Sequence, residues 1–134
     1  MNFLNKLQPL GLLFLRAGLG TIFVFHGYPK LFGNTERAAQ FFSAVGLPPM
    51  LVYVAGIVEL FGGILLVAGL FTRVAGMLLA GTMAVAIWKA HLGKGILAVG
   101  EYEFPLALAV AAFALATTGA GKASFDYAIF REKA

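Results

Sequence analysis

Four long apolar stretches dominate this sequence and limit the folds that the chain can adopt. They cover approximately residues 10–28, 51–70, 74–92 and 104–121. Each is close to the ~20 residues that an α-helix needs to cross a hydrocarbon core. Since unpaired backbone N–H and C=O groups are costly in lipid, the stretches should form helices. The sequence therefore predicts an all-α integral membrane protein, in which residues 1–134 form a single four-transmembrane-helix bundle.

The composition also favours the bilayer. Of the 134 residues, 60% are hydrophobic and 12% are charged, and the mean hydropathy is +0.89. Soluble domains are on average roughly 45–50% apolar and roughly 25% charged. The net charge of +4 comes from basic residues that are scattered at the ends of the apolar stretches. We therefore expect the lipid bilayer, and no nucleic acid, as a partner.

The connections between the stretches carry helix signals of their own. Apolar residues at helical spacing predict an amphipathic helix over about residues 35–45, which Gly46 and two prolines would end. This helix would lie in the membrane interface or fold back over the bundle. A short helix capped by Ser124 is predicted in the tail, and Pro105 suits the first turn of the fourth span.

The basic residues give a prediction of orientation. Four spans place both termini on one side of the membrane, where five basic residues lie, against four on the other side. The positive-inside rule then favours cytoplasmic termini in a bacterial-type inner membrane. The first stretch is not typical of a cleavable signal peptide, because Arg16 interrupts it and no small-residue cleavage site follows it.

Two opposite charges lie deep within the predicted spans. Arg16 is roughly 9 Å inside the first span and Glu59 is roughly 12 Å inside the second from the other side, at a rise of ~1.5 Å per residue. Because charges at this depth are costly, we expect both to face the bundle interior and form an ion pair. Such a pair could fix the helix register or belong to a functional site, and the sequence leaves both interpretations open.

A second polar group is predicted at the end of the bundle away from the termini. His26 and His91 lie at similar depth there, near Lys30 and Glu103 and above Glu59. One interpretation is an interfacial belt with snorkelling lysines, and the other is a proton-handling site. No metal site is predicted, since the ligands lack suitable spacing, and axial haem ligation by the histidines is disfavoured. The absence of cysteine excludes disulfides and thiol chemistry.

Several segments, in this order, resemble the DoxX family of small four-helix membrane proteins. They are Arg16 with FVFHGYPKL, then FFSAVGLPP, VELFGGILLVAGLFTR around Glu59, the Ala90-His91 pair and GAGKASFD. The resemblance implies a membrane location and a link to quinone or thiosulfate redox chemistry. More distantly the chain is similar to vitamin K epoxide reductase-like bundles, but it lacks their cysteine pair, so thiol-driven quinone reduction is not implied.

The leading functional hypothesis is a quinone-interacting accessory subunit of a membrane oxidoreductase. A lipophilic quinone needs hydrogen-bond donors at its carbonyl oxygens and a route for protons. The candidate binding residues are Arg16, His26, Lys30, Glu59, His91 and Glu103. One alternative is a proton or small-molecule transporter gated by an Arg16–Glu59 pair. Another is a scaffold for an oxidoreductase complex, and small-residue faces could also support a homodimer.

Overall fold

The structure is a computed structural model, and it describes residues 2–33, 35–44, 46–88 and 99–130. These residues form seven helices and no strand, which confirms the all-α prediction for the described part of the chain. The helices are α1 (Asn2–Lys6), α2 (Gln8–Phe32), α3 (Thr35–Ala44), α4 (Leu51–Ala68), α5 (Thr72–Ala86), α6 (Val99–Thr118) and α7 (Phe125–Phe130).

Two of these helices, α2 and α4, are long and apolar enough to cross a membrane. Helices α5 and α6 are also apolar, but their apolar parts, Thr72–Ala86 and Glu103–Thr118, are shorter. The predicted third span reaches residue 92, and its end lies outside the described residues. The count of four spans therefore stays a prediction.

Two differences between the helix boundaries and the sequence prediction are of four residues or more and lie within the described residues. Helix α2 continues four residues beyond the predicted end at residue 28, through Pro29 to Phe32. Helix α6 begins at Val99 rather than at residue 104, so the prediction that Pro105 lies in its first turn is wrong. Apolar periodicity marks the part of a helix that can lie in lipid, and it does not show where polar turns extend that helix.

The predicted short helices are present. Helix α3 ends before Gly46, which has a left-handed φ of +86°. Helix α7 begins after Ser124, whose Oγ accepts a hydrogen bond of 3.1 Å from the Tyr127 N–H. Both ends follow ordinary capping chemistry, because a glycine tolerates the left-handed conformation and a serine oxygen satisfies a free helical N–H.

The long helices pack as two pairs. Helix α2 packs most extensively against α4, α5 packs most extensively against α6, and α4 contacts α5 to join the pairs. The core between them is apolar and contains Leu19, Phe23, Leu66, Leu79 and Leu115. Large apolar side chains also remain exposed on the outer faces. An exposed apolar surface of this extent suits contact with lipid.

Glycines bring α2 and α4 into close contact along an antiparallel register. A Cβ built on Gly20 would lie 2.5 Å from the Gly63 carbonyl oxygen, and one on Gly63 would lie 2.6 Å from the Gly20 carbonyl oxygen. Farther along, Gly27 lies against Gly56 and Leu60. The backbones can approach this closely only because no side chain separates them.

Candidate functional site

A charged pair lies between α2 and α4. Lys30 of α2 donates a hydrogen bond to the Glu59 carboxylate of α4, and the two residues form a salt bridge. The Glu59 side chain is 2% exposed and the Lys30 side chain is 20% exposed. Within the described residues, the carboxylate is therefore neutralised by a cation that still reaches the surface.

The glycine contacts position this pair. Gly27 and Lys30 lie one turn apart on α2, and Gly56 and Glu59 lie one turn apart on α4. Each charged residue lies against the glycine of the opposite helix. A Cβ built on Gly56 would lie 3.1 Å from the Lys30 Cβ. A Cβ built on Gly27 would lie 3.0 Å from the Glu59 carbonyl carbon. Because the helices approach closely here, a lysine and a glutamate can meet across them.

The pair lines a large cavity. The cavity has a volume of ≈ 730 Å³, and its walls come from α2, α3, α4, α5 and α6 and from the segment after α3. Most of its lining is apolar, including Phe41, Phe42, Met83, Phe104 and Leu108. The polar side chains in the lining are His26, Lys30, Arg37, Glu59 and Thr82. An apolar cavity with a few convergent polar groups is the usual form of a small-molecule site.

Helix α3 forms one wall of the cavity. The residues of α3 that line it are Arg37, Ala38, Phe41 and Phe42. Arg37 is one turn from Phe41, and Ala38 is one turn from Phe42, so all four lie on one face of the helix. The sequence predicted that this helix would either lie in the interface or fold back over the bundle. Its contacts with α2 and α4 show that it packs on the bundle.

His26 lies at the edge of the same cavity. Its side chain is exposed, and its ring centroid is 5.7 Å from that of Phe104. The Nδ1 atom is 2.8 Å from the Ile22 carbonyl oxygen. Since that oxygen can only accept, Nδ1 must carry a hydrogen, which leaves Nε2 of a neutral ring as an acceptor.

The other predicted site residues at this end are placed differently. Glu103 is exposed and does not line the cavity, although the next two residues, Phe104 and Pro105, do. His91 lies outside the described residues. Among the residues that are described, no three His, Asp or Glu side chains are grouped as metal ligands.

Arg16 does not pair with Glu59, so that prediction is wrong, and so is the gate that the pair would have formed. The guanidinium is fully buried and donates to the carbonyl oxygens of Leu66 at 3.1 Å and Ala120 at 3.1 Å. Further hydrogen bonds go to the Val67 and Ala123 carbonyls. The antiparallel register places Gly27 beside Glu59, and Arg16 is 11 residues from Gly27, or roughly 16 Å along α2.

A second buried charged residue, Asp126, lies near Arg16 at the other end of the bundle. Asp126 of α7 is 1% exposed and accepts hydrogen bonds from the backbone N–H groups of Phe71 at 2.6 Å and Thr72 at 2.9 Å. Its negative charge also acts favourably on Arg16. Asp126 therefore caps the N-terminus of α5 from another part of the chain.

Two of these features differ from the prediction made from the sequence. That prediction places Lys30 near Glu59 without pairing the two residues, and it gives Asp126 no role. The spacing Gly27-x-x-Lys30 on one helix and Gly56-x-x-Glu59 on the next was the available signal for the first pair. Nothing local marks Asp126, because its partners are 54 and 55 residues away in the sequence.

Together, the apolar helices and the exposed apolar outer faces define a helical membrane protein. The DoxX family model matches residues 11–92, which include α3 to α5 and all but the first three residues of α2. The chain belongs to the DoxX family.

Curated relatives match over almost the whole length. The chain is 38% identical over 130 residues to "Putative oxidoreductase CatD" of Bacillus subtilis, covering 97% of this chain and 95% of that protein. It is 35% identical to a protein of Haemophilus influenzae without a functional name, covering 98% and 100%. It is 30% identical to "Inner membrane protein YphA" of Escherichia coli, covering 89% and 90%. No solved structure matches the chain.

Proposed function

We propose that this protein is a quinone-interacting accessory component of a membrane oxidoreductase. In this proposal the chain crosses a bacterial inner membrane four times with its termini in the cytoplasm, and the cavity beside Lys30 and Glu59 receives the quinone ring. The observation that carries the proposal is the apolar cavity with a buried ion pair in its wall.

The size and lining of the cavity suit this ligand class. Ligand sites commonly have volumes of roughly 300–1,000 Å³, and the cavity of ≈ 730 Å³ lies within that range. Phe41, Phe42 and Phe104 offer aromatic faces on which a flat ring can stack. A lipophilic quinone would lose little hydration on entering such walls.

The polar residues match the two oxidation states of a quinone. The Lys30 ammonium has three hydrogens. One is donated to Glu59 and one to the His26 backbone carbonyl oxygen at 3.5 Å, so the third can bind a carbonyl oxygen of the oxidised ring. The Nε2 atom of a neutral His26 can accept a hydrogen bond from a hydroxyl of the reduced ring. Glu59 holds the Lys30 side chain in place, which makes it a positioning residue.

The partner follows from the chemistry. Reducing a quinone to a hydroquinone takes two electrons and two protons, and the proposed oxidoreductase partner supplies the electrons. His26 and Lys30 belong to the route by which protons reach the ring. The name of the Bacillus subtilis relative, a putative oxidoreductase, supports an association with redox chemistry.

Quinone binding can be tested through Trp88, the only tryptophan in the chain. It follows α5 within one turn of Val85 and Ala86, which line the cavity. We expect decylubiquinone or menadione to quench its fluorescence saturably when the protein is held in lipid nanodiscs. Lys30→Met should weaken binding about tenfold, which corresponds to one lost charge-assisted hydrogen bond.

Lys6→Met is the matched control, because this lysine is exposed on α1 and does not line the cavity. Linear quenching that equals partition into protein-free nanodiscs would contradict the proposal. Equal affinities of the parent and Lys30→Met proteins would remove Lys30 from the site.

A further inference from the structure

The charged side chains that the structure describes around the cavity do not balance. They are one acidic side chain, Glu59, and two basic ones, Lys30 and Arg37, besides His26. Glu59 is already paired with Lys30. Within the part of the chain that the structure describes, Arg37 has no hydrogen-bond or ion-pair partner. Among the described lining residues, the positive charge of Arg37 is therefore left without a counter-charge.

The position of Arg37 makes this charge available to a ligand. It lies in α3 one turn before Phe41, and both side chains line the cavity. The adjacent acid, Glu36, points elsewhere on the helix and does not line the cavity. A ligand whose flat apolar body contacts Phe41 can place an anionic oxygen at the guanidinium.

The exposure of Arg37 means that its unpaired charge does not destabilise the protein when no ligand is bound. The side chain is exposed, so water can hydrate the guanidinium. An anion that replaces this water forms a charge-assisted hydrogen bond next to apolar walls, where the pair is screened less than on an open surface. A neutral ligand of the same shape would gain only the apolar contacts.

From this arrangement we infer that the cavity selects an aromatic ligand with one negative charge, with Arg37 as the specificity-determining residue. The inference rests on the proposed function, since it concerns the same cavity. It narrows the ligand class from neutral quinones to ionised ones, such as the phenolate form of a hydroxyquinone.

Two probes that share one ring system can test the inference. Lawsone is a hydroxynaphthoquinone that is ionised at neutral pH, and its methyl ether is neutral. We would titrate both against the full chain in nanodiscs of zwitterionic lipid by equilibrium dialysis, and subtract binding to empty nanodiscs. The parent protein should bind lawsone about tenfold more tightly than the ether.

Substitution of Arg37 supplies the decisive comparison. Arg37→Gln should abolish the preference for lawsone and leave the affinity for the ether unchanged. Lys122→Gln removes the same charge from an exposed position that does not line the cavity. This control should retain the preference, which excludes an effect of net charge.

The outcomes separate this inference from the proposed function. If lawsone and its ether bind the parent equally, or if Arg37→Gln keeps the preference, the inference is overturned while quinone binding stands. If neither probe binds and decylubiquinone also fails to bind, the proposed function is overturned as well.

Discussion

At the scale of single residues, the two buried charges of the long helices are stabilised in different ways. Glu59 has a charged partner, Lys30, whereas Arg16 is surrounded by backbone carbonyl oxygens and lies near Asp126. A guanidinium has five N–H donors in a planar fork, so it can bind several carbonyls at once. A carboxylate can only accept, and no carbonyl can satisfy it, so Glu59 requires a donor.

The Lys30–Glu59 pair should behave as a unit in unfolding experiments. Glu59→Gln leaves the lysine without its counter-charge, and breaking a buried pair costs up to about 3–5 kcal/mol. We expect the lower part of that range, because Lys30 is 20% exposed and can be hydrated. The double variant Lys30→Met, Glu59→Gln should recover most of the loss. Unfolding in SDS titrations measures the four stabilities, and additive effects of the two substitutions would contradict direct coupling.

At the scale of helices, the contact between α2 and α4 determines where the polar side chains meet. Gly20 and Gly63 allow contact near one end, and Gly27 and Gly56 allow contact near the other. Because an α-helix repeats every 3.6 residues, fixing these contacts also fixes which residues face each other. The site beside Glu59 therefore depends on glycines that carry no chemical group themselves.

Alanine substitutions can separate packing glycines from open ones. Gly63→Ala would place its Cβ 2.6 Å from the Gly20 carbonyl oxygen, so we expect a loss of thermal stability in detergent. Gly18→Ala is the matched control, since no atom lies within 4 Å of its added Cβ. There the higher helix propensity of alanine should stabilise the protein by up to about 1 kcal/mol. Destabilisation by Gly18→Ala would instead indicate that this face packs against a second copy of the chain.

At the scale of the whole molecule, residues 120–126 link α2, α4 and α5 by hydrogen bonds at the end of the bundle opposite the cavity. Arg16 on α2 binds carbonyls at the end of α4 and after α6, and Asp126 on α7 binds the start of α5. The backbone N–H of Asp126 also donates to the Gly69 carbonyl at 2.8 Å. Distant parts of the sequence are thereby joined by hydrogen bonds that are buried or partly buried.

Asp126→Asn should loosen this end of the molecule. The amide removes the negative charge near Arg16 and replaces one acceptor oxygen with a donor, which would face a backbone N–H. Hydrogen bonds to charged groups contribute about 1.5–3 kcal/mol each, so we expect a clear fall in the unfolding temperature and faster proteolysis of the tail. Glu36→Gln, at an exposed position, serves as the control. A tail that is as resistant as the parent's would show that Asp126 does not hold it.

The elements of this fold follow largely from local sequence. The apolar stretches predict α2, α4, α5 and α6 to within a few residues at each end. Gly46 predicts the end of α3, and Ser124 predicts the start of α7. The candidate site followed only in part. His26, Lys30 and Glu59 do line one cavity, but Glu103 does not, and Arg16 belongs to the opposite end.

The sequence by itself determined that this protein is a helical membrane protein. Its apolar stretches are long enough to enter lipid, and every backbone N–H and C=O group there must be paired, which a helix achieves within one segment. Only the tertiary structure decided which polar groups meet. Depth estimated from helix starts placed Arg16 near Glu59, whereas the glycine contacts place Glu59 beside Gly27 and within reach of Lys30. Helix register arises from packing between segments that are distant in the chain, so the glycine spacing on one helix does not by itself show which residues of the other helix it meets.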